Sequence, residues 1–529
     1  MNGDEKKTSG SNHKRTIYIK FLICVLIFHD YRVKKMEFLI FGFIICLIST
    51  FIALRLIPAR RNPNLPPGPR PLPIIGNLLD LGDNPHQSLA KLAESYGPIM
   101  SLKLGQVTAV VVSSPETIQQ VLQTHDHFLS FRAVPDALSP YDHGQLAFPW
   151  IPVSPTYKNI RKICNTHLLS PKTLDANQNL RRTRIDDLLA NIRRSALNGE
   201  AVDIGEAVFT TTLNLISYSI WSVDLADPNS EMAKQFKVTM RGLMEEAGKP
   251  NISDFFPVLK RLDMQGIRRR ITVHFGKMFE MIDGKIDERL KMQELPDFSP
   301  KNDMLHHLLN MREDNNEIPL DRNQIKHSIL VLFTGGTETT TSIVQWAMTH
   351  LLKNPETMVK LKEELSRVIG KGNPVEESHI NKLPYLQAVI KETLRLQSAL
   401  LLPRKAESEV AISGFTIPKG TQIIVNLWAS YRDSSVWESP YLFLPERFLD
   451  SASDSKARNF EFIPFGSGRR ICPGQPLATR MLHLMVGSLL HWFDWKLEEG
   501  VTPENMNMDE NFGITVEKAQ PLRAVPLLT

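Results

Sequence analysis

Apolar and polar positions alternate in three parts of the chain, and this pattern predicts β-strands. Two short alternating segments lie early, at Ile99–Leu104 and Ala109–Val112, and a later one runs from Ile412 to Val425. Period-2 patterning of this kind is typical of strands with one buried face. The chain therefore carries a minor sheet component at both ends of its body.

The central part of the chain follows helical spacing instead. From about residue 155 to 400 the pattern is mostly amphipathic, with long stretches at 268–292 and 355–370. After residue 65 there is no repeat, low-complexity segment or second linker. We therefore predict one large domain at 71–529, mainly α with a minor β-sheet part.

The amino-terminal region has a different character. Phe38–Leu54 is seventeen residues without a charge, and the span 38–57 would reach about 30 Å as a helix, enough to cross a bilayer core. We predict a membrane anchor helix at 36–57 and a basic, proline-rich hinge at 58–70. Residues 1–35 are expected to be an upstream extension or an isoform-specific leader.

Charge and cysteine usage exclude some classes. The net charge of +5 lies in residues 1–35, which hold eight Lys or Arg and three Asp or Glu, while the other 54 basic and 54 acidic residues balance. A basic nucleic-acid-binding domain is not supported. The four cysteines are scattered, without a disulfide or zinc pattern, which fits a reducing compartment.

One of these cysteines lies in a loop suited to hold a metal. Phe465–Gly474 surrounds Cys472 with three glycines and two arginines. Glycine allows close approach of the backbone, and guanidinium charge is expected to favour the thiolate. A thiolate of this kind can be the axial ligand of haem iron.

The spacing Phe465-x-x-Gly468-x-Arg470-x-Cys472-x-Gly474 resembles the haem-binding loop of the cytochrome P-450 superfamily. The resemblance implies haem b (iron protoporphyrin IX) as cofactor, Cys472 as the axial iron ligand, and Phe465 against the haem. It also implies a single haem-thiolate domain.

A helical stretch at 325–352 contains Gly335-Gly336 followed by Thr337–Thr341. Two mid-helix glycines cost roughly 1 kcal/mol each, so a steric or chemical reason is expected. The stretch resembles the distal-helix pattern of the same family. By that resemblance Gly335 lets the cofactor lie against the helix, Thr339 hydrogen-bonds oxygen at the iron, and Glu338 connects to the proton supply.

Two further sets of residues match the family. Glu392 and Arg395, spaced i, i+3 on a helix, and Arg447 in Pro445-Glu446-Arg447-Phe448 would form a structural triad behind the haem loop. Three arginines would bind the haem propionates, because guanidinium groups pair well with carboxylates; they are Arg470, Arg404 and Arg161.

Two departures from the family pattern put activity in question. Tyr157 stands where the family usually has Trp, which leaves the aromatic contact to a propionate in doubt. Gln397-Ser398-Ala399 replaces the His-Pro-Pro frequent in plant members, near the expected substrate cavity.

The chain is most similar to plant terpenoid-oxidising members, the geraniol 8-hydroxylase and ferruginol synthase group. The segments that carry this similarity are 244–251, 265–270 and 512–523. The pocket residues implied are largely apolar, which fits a lipophilic substrate; they lie at 132–149, 334–335, 400–402 and 513–514.

The resemblance implies a monooxygenase in the endoplasmic reticulum membrane, with its catalytic domain in the cytosol. It would use dioxygen and electrons from NADPH through NADPH–cytochrome P-450 reductase. Basic residues form the expected docking face for that reductase: Lys162, Lys456, Arg458 and Arg469.

Three alternatives stay open. The same fold could oxidise a flavonoid or another phenylpropanoid. A haem-thiolate isomerase or dehydratase would need neither dioxygen nor reductase, although Glu338-Thr339 speaks against it. A non-catalytic haem sensor or inactive paralogue is the third, suggested by Tyr157 and Gln397.

Overall fold

The structure is a computed structural model that describes residues 64–225, 231–311, 318–397, 401–449, 459–513 and 515–528. By its internal contacts the chain falls into two units, Met1–Arg61 with Arg70–Ile74 and Asn62–Pro69 with Ile75–Thr529. All elements below belong to the second unit. The predicted leader and anchor lie outside the described residues. Within those residues, no helix combines the length and apolar character needed to cross a membrane.

Helices make up most of the described chain. The α-helices, in chain order, are α1 Pro85–Tyr96, α2 Pro115–Gln119, α3 Asp126–Leu129, α4 His143–Leu146, α5 Pro155–Cys164, α6 Pro171–Ala176, α7 Gln178–Asn198, α8 Ile204–Trp221, α9 Glu231–Gly248, α10 Ile252–Phe255, α11 Ile267–Gln293, α12 Met304–Leu309, α13 Arg322–Lys353, α14 Pro355–Ile369, α15 Pro384–Gln397, α16 Leu427–Ser430 and α17 Gln475–Trp492. The helices predicted at 268–292, 325–352 and 355–370 are confirmed as α11, α13 and α14.

The strands are short and form small sheets. They are β1 Ile99–Leu104, β2 Val107–Val112, β3 Val202–Asp203, β4 Leu401–Lys405, β5 Val410–Ile412, β6 Phe415–Ile417, β7 Gln422–Asn426, β8 Phe493–Leu497, β9 Glu510–Phe512, β10 Val516–Lys518 and β11 Arg523–Leu528. The largest described sheet has the order β1-β2-β7-β4, in which only the β2–β7 pair is parallel. A three-stranded sheet has the order β3-β11-β8, and two hairpins, β5–β6 and β9–β10, complete the set. The predicted fold class, mainly α with a minor sheet part, is confirmed.

Helix α13 runs through the middle of the core. It begins with a capping box, in which the Asp321 carboxylate accepts from the Gln324 N–H at 2.8 Å and the Gln324 side chain accepts from the Asp321 N–H at 3.0 Å. These bonds satisfy N–H groups that a helix start otherwise leaves unpaired. Buried apolar residues surround α13 on several sides, because it packs against α8, α15 and α17. The cysteine loop lies just before α17, so both predicted parts of the site meet at this core.

Candidate active site

The loop that carries Cys472 is closed by backbone hydrogen bonds. The Cys472 N–H donates to the Phe465 carbonyl at 2.9 Å, and the Gly466 N–H donates to the Ile463 carbonyl at 2.8 Å. Gly468 has a φ of +68°, and a Cβ there would lie 2.2 Å from the Leu122 carbonyl oxygen. Only glycine fits this position, because a side chain would meet both strain and a clash.

Arg470 and Arg469 attach the loop to the segment before α5. The Arg470 guanidinium donates to the Ser130 carbonyl at 2.8 Å and the Phe148 carbonyl at 3.1 Å, and it also bonds the Ile151 carbonyl. The backbone N–H of Arg469 donates to Asp126 at 2.9 Å. Most donors of Arg470 are therefore used on carbonyls, although its side chain still lines the cavity described below.

Glu392, Arg395 and Arg447 lie together behind the loop. The Glu392 carboxylate accepts from Arg395 at 2.7 and 2.8 Å and from Arg447 at 3.1 Å. Glu392 and Arg395 are fully buried. Arg395 also donates to the Tyr431 carbonyl at 2.6 Å and to the Pro440 carbonyl at 2.8 Å. The arrangement joins α15 to the chain after α16, in agreement with a structural role.

The glycine-rich stretch of α13 faces open space. A Cβ added to Gly335 would find no atom within 4 Å, whereas one added to Gly336 would lie 2.8 Å from Ile216. Gly335 and Thr339 line the same cavity as Cys472. The Thr339 hydroxyl donates to the Gly335 carbonyl at 2.7 Å, so the helix is unbroken there and the hydroxyl stays at the cavity wall.

Glu338 is a buried acid beside this threonine. It is 9% exposed, and its Oε1 has no hydrogen-bond partner among the described residues. Burial, reinforced by the charge of Glu517, raises the pKa of Glu338 to about 7, although Arg241 and Lys237 act to lower it. A carboxyl group with this pKa can hold or release a proton near neutral pH.

A cavity of about 410 Å³ lies between α13 and the cysteine loop. This volume is within the range of ordinary small-molecule sites. Its walls include Cys472, Phe465, Gly335 and Thr339. The apolar side chains around the α13 side are Leu168, Leu215, Ile216, Val331, Ile343 and Val516.

Two incompletely paired arginines at the cavity wall fit the binding of haem. The Nε atoms of Arg132 and Arg404 are buried without a hydrogen-bond partner among the described residues. Burial lowers the pKa of Arg404 to about 9 and that of Arg132 to about 10, and the neighbouring arginines add to both effects. Buried cations without anions are unfavourable, and a dicarboxylate such as haem would supply the missing charge. The space above Gly335 accommodates a flat group as well.

Arg132 is a candidate propionate ligand that sequence reasoning placed only within a pocket loop. The Lys405 N–H donates to the Phe131 carbonyl at 2.8 Å, and this bridge brings Arg132 next to the strand that carries Arg404. The two residues are 272 positions apart in sequence. No local motif signals their proximity.

Tyr157 and Arg161 lie beside the cysteine loop. The Tyr157 hydroxyl donates to the Arg469 carbonyl at 2.7 Å and accepts from Arg161 Nη1 at 3.1 Å. The same Nη1 donates to the Ile471 carbonyl at 2.7 Å. Both residues line the cavity, but these bonds go to each other and to the backbone of the loop rather than into the cavity.

Opposing effects act on the pKa of the Cys472 thiol, which lines the cavity. Burial raises the pKa of the Cys472 thiol, although the N–H groups of Gly474 and Gln475 and the charge of Arg161 lower it in part. The expectation that the loop arginines favour the thiolate stays a prediction, and the charge of Arg161 acts in that direction. A bound metal would supply the missing stabilisation of the sulfur anion.

Several expected residues fall outside the described part of the chain. They are Ser398, Ala399, Leu400, Lys456, Arg458 and Ile514. Gln397 is described: it lines the cavity, and its Oε1 is buried without a partner among the described residues.

Comparison with known proteins gives a consistent result. Residues 66–523 match the family model for Cytochrome P-450. Geraniol 8-hydroxylase of Catharanthus roseus is 50% identical over 470 residues, covering 88% of this chain and 95% of that protein. Geraniol 8-hydroxylase of Swertia mussotii is 50% identical over 469 residues, covering 88% and 94%. Ferruginol synthase of Isodon rubescens is 45% identical over 481 residues, covering 90% and 97%.

Proposed function

We propose, since this chain belongs to the cytochrome P-450 family of monooxygenases, that it hydroxylates a terpenoid at a membrane with electrons from NADPH through a reductase. The observation that carries the proposal is the cavity in which Cys472 and Thr339 share one space. The names of two relatives, geraniol 8-hydroxylase and ferruginol synthase, support a terpenoid as the substrate class.

Each wall of the cavity has its own task in this proposal. When bound, haem would supply the iron chemistry that activates dioxygen, and Cys472 would provide the thiolate that holds the iron. Arg132 and Arg404 would hold the propionates, since the Nε atom of each is buried without a hydrogen-bond partner among the described residues. Phe465 lies at the cavity wall on the cysteine side.

Proton supply is the task of Glu338 and Thr339. The Thr339 hydroxyl lies at the cavity wall. Glu338 directly precedes Thr339 in α13, and its side chain is buried. With a pKa of about 7, Glu338 carries a proton for part of the time near neutral pH and can pass it toward the cavity. The apolar walls exclude water, which favours transfer through these two groups over bulk solvent.

An exposed apolar patch supports the membrane part of the proposal. Leu79, Val258, Leu262 and Met264 are between 63% and 73% exposed. The segment after α10 and the segment around Leu79 meet at the β1–β2 turn, because Gln106 N–H donates to the Phe255 carbonyl and Gly105 N–H to the Ile75 carbonyl. Exposed apolar surface of this kind is typical of contact with a membrane or a partner. The predicted anchor at 36–57 would bring the domain to the same bilayer.

The experiment is a comparison of substrates in microsomes that contain a plant cytochrome P-450 reductase. A monoterpene alcohol, an abietane diene and a flavonoid are supplied with NADPH, and products are identified by mass spectrometry. We expect one added oxygen atom on a terpenoid, dependent on both NADPH and reductase. Oxidation of the flavonoid alone would show that the substrate is a phenolic compound rather than a terpenoid. Product formation without NADPH would favour an isomerase or dehydratase instead.

A further inference from the structure

Tyr157 occupies a position from which its hydroxyl serves the cysteine loop. Tyr157 is 3% exposed and is the third residue of α5, where the Ser154 side chain accepts from the Tyr157 N–H at 3.2 Å. The Arg470 guanidinium lies 4.6 Å above the ring centre. The Ser154 cap thus holds the backbone of Tyr157, and the cation–π contact with Arg470 holds its ring.

The hydroxyl of Tyr157 acts as donor and acceptor at once. It donates to the Arg469 carbonyl at 2.7 Å and accepts from Arg161 at 3.1 Å. Arg161, one helical turn later, donates to the Ile471 carbonyl at 2.7 Å. Helix α5 therefore holds the carbonyls of Arg469 and Ile471, the two residues that flank Arg470. Ile471 is also the residue directly before Cys472.

The dual role requires a hydroxyl group. The indole of Trp, which the family usually has at this position, is a donor only and has no lone pair to accept from Arg161. Phe has neither function. Tyr at this position, unlike Trp, can therefore bond the Arg469 carbonyl and Arg161 at the same time.

We infer that Tyr157 and Arg161 form a positioning pair, which holds the carbonyls of Arg469 and Ile471 and so fixes the position of the Cys472 sulfur. The Ile471 carbonyl belongs to the peptide bond that precedes Cys472, and the N–H of that peptide donates to Phe465 at 2.9 Å. Both polar groups of this peptide unit, its C=O and its N–H, are thus hydrogen-bonded. Loss of the α5 contacts would leave the C=O without its bond to Arg161. The inference rests on the haem-thiolate site proposed above and is independent of the substrate.

The test uses the full-length, haem-loaded protein, chemically reduced and saturated with carbon monoxide, without substrate or reductase. The thiolate-type Soret band is followed over time at a temperature below global unfolding, which circular dichroism monitors. We expect Tyr157→Phe to lose the thiolate-type band roughly fivefold to tenfold faster than wild type, because one net hydrogen bond is removed. Tyr157→Trp, a residue compatible with the fold, should behave similarly and replaces the Phe variant if that variant fails to fold.

The matched control is Tyr385→Phe. Tyr385 is also buried, and its hydroxyl donates to Glu446 at 2.9 Å, away from the cavity lining. Its variant should keep the wild-type decay of the band.

A second readout separates this role from the family's usual one. Haem transfer to apomyoglobin reports how firmly the cofactor edge is held. Faster transfer in Tyr157→Phe, with a thiolate-type band that decays as in wild type, would overturn the inference in favour of a propionate contact. If Tyr157→Phe showed the wild-type decay rate of the thiolate-type band and the wild-type rate of haem transfer, the inference would be overturned as well. Because neither readout needs turnover, a wrong substrate class cannot produce these results.

Discussion

The cysteine loop and the α13 stretch opposite it differ in how their polar groups are paired. On the loop side, Arg470 bonds four carbonyls and Glu392 neutralises two arginines. On the α13 side, Glu338 keeps an unpartnered oxygen and Gly335 faces open space. The loop side of the cavity is held by many bonds, whereas the α13 side leaves room at Gly335 and has the buried Glu338 next to the lining residue Thr339.

This difference fits the separate demands on the two walls. A metal ligand needs a fixed position, and buried bonds around it supply that. A wall that receives substrate and protons needs space and an ionisable group instead. Changes on the loop side should therefore cost stability, and changes on the α13 side should alter chemistry with little effect on folding.

Glu392→Gln gives the largest expected effect. The change leaves the buried guanidinium groups of Arg395 and Arg447 without a carboxylate, which costs about 3–5 kcal/mol. Urea unfolding measures the loss. The control is Glu364→Gln: Glu364 is buried too, but among the described residues it accepts from the backbone N–H groups of Tyr385 and Leu386 and not from a guanidinium. It should lose about 1.5 kcal/mol, and equal losses would contradict the role of the triad.

Gly468→Ala tests the loop through its backbone. The left-handed φ costs about 1–2 kcal/mol for any other residue, and the clash with the Leu122 carbonyl at 2.2 Å adds to it. We expect a total loss of about 3 kcal/mol in thermal unfolding, together with poor haem loading. Gly466→Ala is the comparison: its φ is +73°, but the nearest atom lies 3.9 Å away. If both variants lose the same stability, the close approach at Gly468 is unimportant.

Glu338→Gln separates the two walls by pH. The raised pKa means that the folded protein keeps a proton on Glu338 that the unfolded chain releases, so stability falls as pH rises from the ordinary value of 4.5 through about 7. The variant lacks this loss. The difference in free energy of unfolding between variant and wild type should therefore shift in favour of the variant as pH rises from about 5 to about 8. A constant difference across that range would show that the carboxyl titrates normally.

Gly335→Ala gives the smallest expected change in stability. Open space surrounds the new methyl group, and alanine is favoured over glycine in a helix by up to about 1 kcal/mol. Thermal stability should hold or rise slightly, while substrate affinity falls because the cavity is narrower. Gly336→Ala, which meets Ile216 at 2.8 Å, should be about 1 kcal/mol less stable than Gly335→Ala. If Gly336→Ala were the more stable variant, the open side of α13 would not lie at Gly335.

Sequence reasoning succeeded where chemistry is local and failed where it depends on distant contacts. The strand at Ile99–Leu104, the long α13 helix and the i, i+3 pair of Glu392 and Arg395 follow from short-range patterns. The position of Arg132 beside Arg404 depends on a bridge between Phe131 and Lys405. No window of sequence contains both partners.

Electrostatic properties were the least accessible from sequence. The raised pKa of Glu338 arises from burial and from Glu517, which is far along the chain. The raised pKa of Cys472 also arises from burial, which composition of the loop does not reveal. The Tyr157 hydroxyl pairs with a carbonyl 312 residues away, so its role was visible only in the fold.

The most direct test of the account is the spectrum of the reduced, carbon monoxide-saturated protein compared with that of Cys472→Ser. We predict a red-shifted, thiolate-type Soret band in wild type and its complete loss in the variant, because serine supplies no thiolate to the iron. Circular dichroism confirms that both proteins are folded. A variant that retains the wild-type band would show that another residue binds the iron, and the account of this site would be wrong.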